Sequence, residues 1–318
     1  MINKADKYLK ETLLEILEEG TIDKNPRPKY ADGEPAFSKF ITQKVFEYNI
    51  QKNEFPINTL RSTFLKGAWY DIEAIYIKQT NVLEEMDKSI HSWWKDFIVK
   101  TFTPKELSER WLDWAYHFGS EKTYADKKPS DFQEHSLGNT YGHTIKRYDL
   151  MNELLRGLES NPFGRRHIID MWQEEQFKDD EKALPPCAYS TLWSVRETYN
   201  SRHIDLTLIQ RSNDFALCSS INPAQYVMQG MAVCNHLTFK TGITHKLGKF
   251  LHLIQNCHVY LRHFQGVNEI LSREPTGLQP MIKLICEPKD FYSHTFEDFE
   301  FSGLENIKKL DSKLELAI

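Results

Sequence analysis

The stretch HIDLTLIQRS, residues 203–212, decides the fold class. Ile204, Leu206 and Leu208 alternate with Asp205 and Thr207, the period of two expected of a strand with one buried face. Downstream, residues 222–237 carry Tyr226, Val227, Gly230, Met231 and Cys234 at helical spacing, and KFLHLIQNCHVYL, residues 249–261, reads as a further strand. Upstream, Tyr8, Leu9, Leu13, Leu14, Ile16 and Leu17 predict a helix over 2–19. A second helix is expected over 64–87, and Leu150, Met151, Leu154, Leu155 and Leu158 mark a third. Residues 24–37, KNPRPKYADGEPAF, form a loop punctuated by Pro and Gly. Strands and helices interleave without a regular βαβ rhythm, which predicts an α+β fold. No repeat, low-complexity segment or Pro/Gly/Ser-rich linker divides the chain, so residues 1–318 read as one domain.

Composition narrows the class. Apolar residues make up 40% of the 318 and aromatics 13%, enough for a packed core and too many for a disordered chain. A net charge of -5 argues against a nonspecific DNA binder, which would be basic. The N-terminal MINKADKYLKETLLEIL is an amphipathic helix rather than a signal peptide, and no stretch approaches the roughly 18 apolar residues of a membrane span. The five cysteines, Cys187, Cys218, Cys234, Cys257 and Cys286, lack CxxC spacing and suit free thiols in a reducing, cytoplasmic setting.

Several residues could carry chemistry. Cys187 follows two prolines in LPPCAYSTLW; taken alone, a cysteine is a small buried apolar residue more often than a nucleophile. A reactive thiol needs cations nearby to ionise. Arg27, Arg165, Arg166 and Arg211 are candidates, although solvated surface charge is the ordinary role of arginine. The adjacent Arg165 and Arg166 in NPFGRRH suit a phosphate fork, and Arg211 with Ser212 could serve the same anion. His258 and Tyr260 lie two apart on a strand and so share a face, either as a buried pair or as ligands for a sugar hydroxyl. The 12 histidines include no HExxH-type pair, and no Cys/His cluster, GxGxxG or Walker loop is present, so no metal is expected.

The order of these motifs resembles the thymidylate synthase family. PPC at 185–187, RSND at 211–214, Asn222, and the His258–Tyr260 pair carry the likeness. It extends through Arg27, Phe55–Pro56, Trp93–Trp94, LGNTYG at 137–142, NPFGRRH, SREP at 272–275, FEDFE at 296–300 and the terminal ELAI. The resemblance implies a mixed sheet packed with helices, one sheet face forming a homodimer interface, and conversion of dUMP to dTMP with 5,10-methylenetetrahydrofolate. It implies that Cys187 adds to carbon-6 of the uracil ring, making carbon-5 nucleophilic. Arg27, Arg211 and Ser212 would hold the phosphate, joined by Arg165 and Arg166 of the partner subunit in shared active sites. Asn213 would belong to the nucleotide site, Asn222 would pair with the uracil edge, and His258 and Tyr260 with the 3′-hydroxyl. Asp214, Trp94 and Ala317 would contact the folate, with Ala317 and Ile318 closing over it.

The sequence departs from the family pattern in places. The catalytic glutamate falls on Asp71, one methylene shorter, and a bridging water is expected to make up the distance. Glu73 differs from it by about 200° around a helix, so both cannot face one site. Ala188 stands where a histidine commonly follows the nucleophile, Cys218 to Ile221 replace Gly-x-Pro-Phe, and Asn256 replaces an aspartate. Two alternatives stay open. A deoxyuridylate hydroxymethylase would share RSND and the Arg262–His263 pair, but a closing ELAI tail excludes the water it needs. An inactive homologue that binds nucleotide or RNA would not need Cys187, the arginines and Asn222 together.

Overall fold

The computed structural model describes residues 3–102, 134–179 and 183–317. Six strands build the main sheet: β1 (Thr21–Ile22), β2 (Ser38–Asn49), β3 (Ile168–Asp170), β4 (Ala188–Thr198), β5 (Ser201–Asp214) and β6 (His245–Tyr260). Their spatial order is β1-β2-β6-β5-β4-β3. β5 and β6 run parallel and the other neighbours antiparallel, so the sheet is mixed, as expected. A parallel pair needs a crossover, and the helix Ile221–Thr241 supplies it.

The alternation read in β5 is borne out, with Ile204, Leu206 and Leu208 all buried on the helical side of the sheet. The main helices are α1 (Lys4–Glu19), α2 (Leu65–Ile72), α3 (Leu150–Ser160) and α4 (Ile221–Thr241). α4 is central: from Pro223 to Leu237 every residue except Met231 is buried, which explains a helix apolar around most of its circumference. A Cβ at Gly230 would come within 2.8 Å of Leu247, so the missing side chain lets α4 lie close on the sheet.

The helix expected over 64–87 is shorter. α2 widens into a π-helical turn, Glu73–Ile77, and Gln79 at φ 53° turns the chain away. Apolar spacing continues beyond it because Leu83, Met86 and Ile90 join a second, smaller core with Trp94 and Leu137. Periodicity therefore persisted across a break in the backbone. The opposite sheet face is apolar and open: Val45, Leu192 and Ile168 are exposed, and Ile209 and Leu253 stand in register with Val45. Among the described residues no helix is long and apolar enough to cross a membrane.

Candidate active site

A cavity of about 780 Å³ opens where the ends of β5 and β6 meet α2 and α4. Cys187, Asp71, Arg27, Arg211, Ser212, Asn213, Asp214, Asn222, His258, Tyr260, Trp94 and Ala317 all line it. The fold thus gathers residues from loop 24–37, three helices, the turn before β4, two strands and the C-terminal tail.

Backbone pairing positions the nucleophile. The Arg211 N–H donates to the Cys187 carbonyl at 2.9 Å, tying the PPC turn to β5. The Arg211 guanidinium donates to the carbonyls of Pro186 (3.0 Å) and Pro185 (2.7 Å), and its Nη2 lies 3.5 Å from Cys187 Sγ. A register shift between Ala188 and Ser190 bulges β4 just beyond the thiol, a common way to re-aim a residue beside a site. Burial pushes the Cys187 thiol above its usual value, and Arg211 and Arg27 offset this only in part. Desolvation and the two guanidinium groups thus act on the thiol in opposite directions. The Cys187 N–H donates to Tyr141 Oη at 3.0 Å.

The opposite wall is built from side-chain amides. Asp71 accepts from Trp94 Nε1 and from Gln225 Nε2, both at 2.7 Å. Gln225 Oε1 accepts from Asn222 Nδ2 at 2.9 Å, and Asn222 Oδ1 accepts from Gln210 and Asn213 at 3.1 Å each. Gln225 thus links the shorter carboxylate of Asp71 to Asn222. Burial raises the Asp71 carboxyl to about 6 against the two donated hydrogen bonds, a value suited to proton transfer near neutral pH. Glu73 turns away and pairs with Lys78 at 2.9 Å.

Around the rim, Arg27 precedes a loop whose tip is closed by the Gly33 N–H on the Tyr30 carbonyl, with Gly33 at φ 85°. Asn256 Oδ1 and His258 Nδ1 lie 3.1 Å apart, so the replacement asparagine still orients the ring. Burial lowers the His258 pKa and favours its neutral form. Asp214 caps the short helix Phe215–Cys218 and sits 3.2 Å from His263 Nδ1. The tail lies over the opening, with Leu314, Leu316 and Ala317 on the cavity wall. His263 Nε2 holds the Glu315 carbonyl at 2.8 Å, while Arg262 pairs with Glu315 (3.2 Å) and Asp32 (2.8 Å).

This geometry has counterparts among known proteins. The family model described as thymidylate synthase matches residues 6–316. Thymidylate synthases from Streptococcus thermophilus (strain CNRZ 1066) and Streptococcus pneumoniae (strain 70585) are each 35% identical to the chain, over all of both sequences. The chain belongs to the thymidylate synthase family. The solved structure of thermostable thymidylate synthase A from Bacillus subtilis shares the fold, with a TM-score of 0.71 over 99% of each chain at 24% identity.

Within this member of the thymidylate synthase family, Arg165 and Arg166 lie away from Cys187, in a separate groove with Phe163 and His167. They follow α3 and immediately precede β3, whose Ile168 belongs to the open sheet face. Ile318 lies outside the described residues. Sequence reasoning missed Tyr141, Gln210 and Gln225. Tyr141, at φ 45°, occupies a conformation rare for a bulky residue, and its block LGNTYG was its only signal. Gln210 was legible as a polar residue at the inward parity of Ile204, Leu206 and Leu208. Elsewhere Cys286, His294 and Asp298 come together, but Lys289 Nζ already holds the Asp298 oxygens at 2.8 and 2.7 Å, where a cation would compete with it.

Proposed function

We propose that the chain methylates dUMP to dTMP, with Cys187 as the nucleophile. The observation that carries this reading is a half-buried sulfur 3.5 Å from Arg211, in one cavity with the uracil-matching amide of Asn222. The Cys187 sulfur gives up its proton and bonds to carbon-6, which makes carbon-5 a carbanion equivalent. 5,10-Methylenetetrahydrofolate supplies the one-carbon unit and the hydride that completes the methyl group, and leaves as dihydrofolate. Asn222 offers an acceptor and a donor to N3–H and O4 of uracil. Asp71, with a pKa near neutrality, holds and releases protons around the ring. Arg27, Arg211 and Ser212 bind the phosphate, Asn213 supports Asn222, and His258 with Tyr260 binds the 3′-hydroxyl. The apolar wall at Trp94 and Leu316, with one carboxylate at Asp214, fits a pterin that is flat and carries N–H donors. Ala317 and the rest of the docked tail exclude water, which favours methyl transfer over hydroxymethylation.

The chain acts as a single domain in the cytoplasm and as a homodimer through its open sheet face. A partner subunit then brings Arg165 and Arg166 to the phosphate. Mixing Arg166→Ala with Cys187→Ala subunits should recover turnover that neither homodimer has; no recovery would refute shared sites. The reading as a whole is tested by spectrophotometry with dUMP and methylenetetrahydrofolate. Rising dihydrofolate absorbance is expected, and flat absorbance with a hydroxymethylated product would overturn it.

A further inference from the structure

Along the cavity wall, hydrogen bonds run in one direction from β6 to α2. His252 Nε2 lies 2.8 Å from Gln210 Oε1; Gln210 donates to Asn222, Asn222 to Gln225, and Gln225 to Asp71. A carboxamide accepts at one end and donates at the other, so reversing one member of such a chain requires reversing its neighbours. The chemistry at Asp71 sets the sense. An ionised carboxylate only accepts, which obliges Gln225 to turn its NH₂ toward Asp71 and its oxygen toward Asn222. Asn222 must then present Nδ2 to Gln225 and Oδ1 to Gln210 and Asn213. At the far end, buried His252 is neutral and can supply the single N–H that Gln210 Oε1 accepts.

We propose that Gln225 is a positioning residue that transmits the acceptor character of Asp71 to Asn222 and thereby fixes which pyrimidine edge the cavity accepts. The proposal rests on the pyrimidine-methylating reading. Uracil presents a donor at N3 and an acceptor at O4, whereas cytosine presents an acceptor at N3 and a donor at its amino group. An amide held in one orientation matches one of these edges; an amide free to turn over matches both. Gln225 lies on α4, 154 residues from Asp71 in sequence, and is buried with its whole carboxamide committed to this link.

The test compares the wild-type protein with Gln225→Met and Gln225→Glu. Dissociation constants for dUMP and dCMP are measured by calorimetry, alongside kcat and KM for both nucleotides. Methionine keeps the bulk but removes the amide, so the dUMP/dCMP preference should fall by about tenfold or more, the scale of one net hydrogen bond. Glutamate still offers Asn222 an acceptor, so that variant should keep the preference while kcat drops through the altered contact with Asp71. A merely structural role would weaken both nucleotides alike. An unchanged preference in folded Gln225→Met overturns the proposal, as does lost preference in Gln225→Glu if the methionine variant does not fold. Failure of the underlying reading looks different, since the wild-type protein would then bind neither nucleotide or fail to turn over dUMP.

Discussion

The two walls of the cavity are held by different means. Cys187 and Arg211 sit at strand ends, where a backbone hydrogen bond and sheet register fix them before any side chain is considered. Asp71 and Asn222 sit on separate helices and find each other only through the carboxamide of Gln225. The sheet wall resembles a mount for the nucleophile, made stiff by repeated backbone pairing. The helical wall is a relay whose geometry depends on each side chain in it, so it can be retuned by single substitutions.

The largest expected effect lies on the sheet wall. Cys187→Ser should reduce turnover by about 10³-fold or more, because a hydroxyl is far less ionised and less nucleophilic, while dUMP binding stays nearly intact. Full activity in that variant would remove the nucleophile from the mechanism. On the helical wall, Asn222→Asp should leave the protein folded and move the ratio of kcat/KM for dUMP and dCMP toward dCMP by about tenfold or more. An unmoved ratio would mean that the edge is read elsewhere.

A smaller effect separates the walls by pH. Burial raises Asp71 from 3.8 to about 6, so folding favours its protonated form relative to the unfolded chain, while the group is still mostly ionised at pH 7. The stability this group confers is fully present below about pH 4 and is lost as pH rises through about 6. Relative to Asp71→Asn, the unfolding free energy of the wild-type protein should therefore fall by up to about 3 kcal/mol between pH 4 and 7, followed by urea titration. A difference that stays constant with pH would place Asp71 in the ordinary carboxylate range. The smallest effect belongs to the rim. Arg262→Gln removes solvent-screened pairs to Asp32 and Glu315 and should raise the folate KM a few-fold with kcat little changed. An unaltered KM would show that His263 alone seats the tail.

The central parallel pair of the sheet, β5 and β6, was legible, whereas β1, β2 and β3 were not read as strands. The parity of Ile204, Leu206 and Leu208 is a local consequence of the pleat, and residues 245–260 behave the same way. The helix read over 64–87 failed because spacing reports which residues are buried and is blind to a left-handed residue such as Gln79 that ends the helix. Among the site residues, those recognised from ordered motifs were brought to one cavity, except Arg165 and Arg166. Their adjacent charges show no sign of which subunit's site they serve.

From its amino acids alone, the chain determined an α+β fold, the identity of the thiol and the carboxamide, and the order of motifs joining it to its family. The tertiary structure decided what those groups touch. Packing α2 against α4 set Gln225 between Asp71 and Asn222, and sheet pairing set the Cys187 sulfur 3.5 Å from Arg211, where burial and the guanidinium act on it in opposite directions. Periodicity belongs to a few consecutive residues, whereas a hydrogen-bond partner and a dielectric environment are supplied by segments far away in the chain.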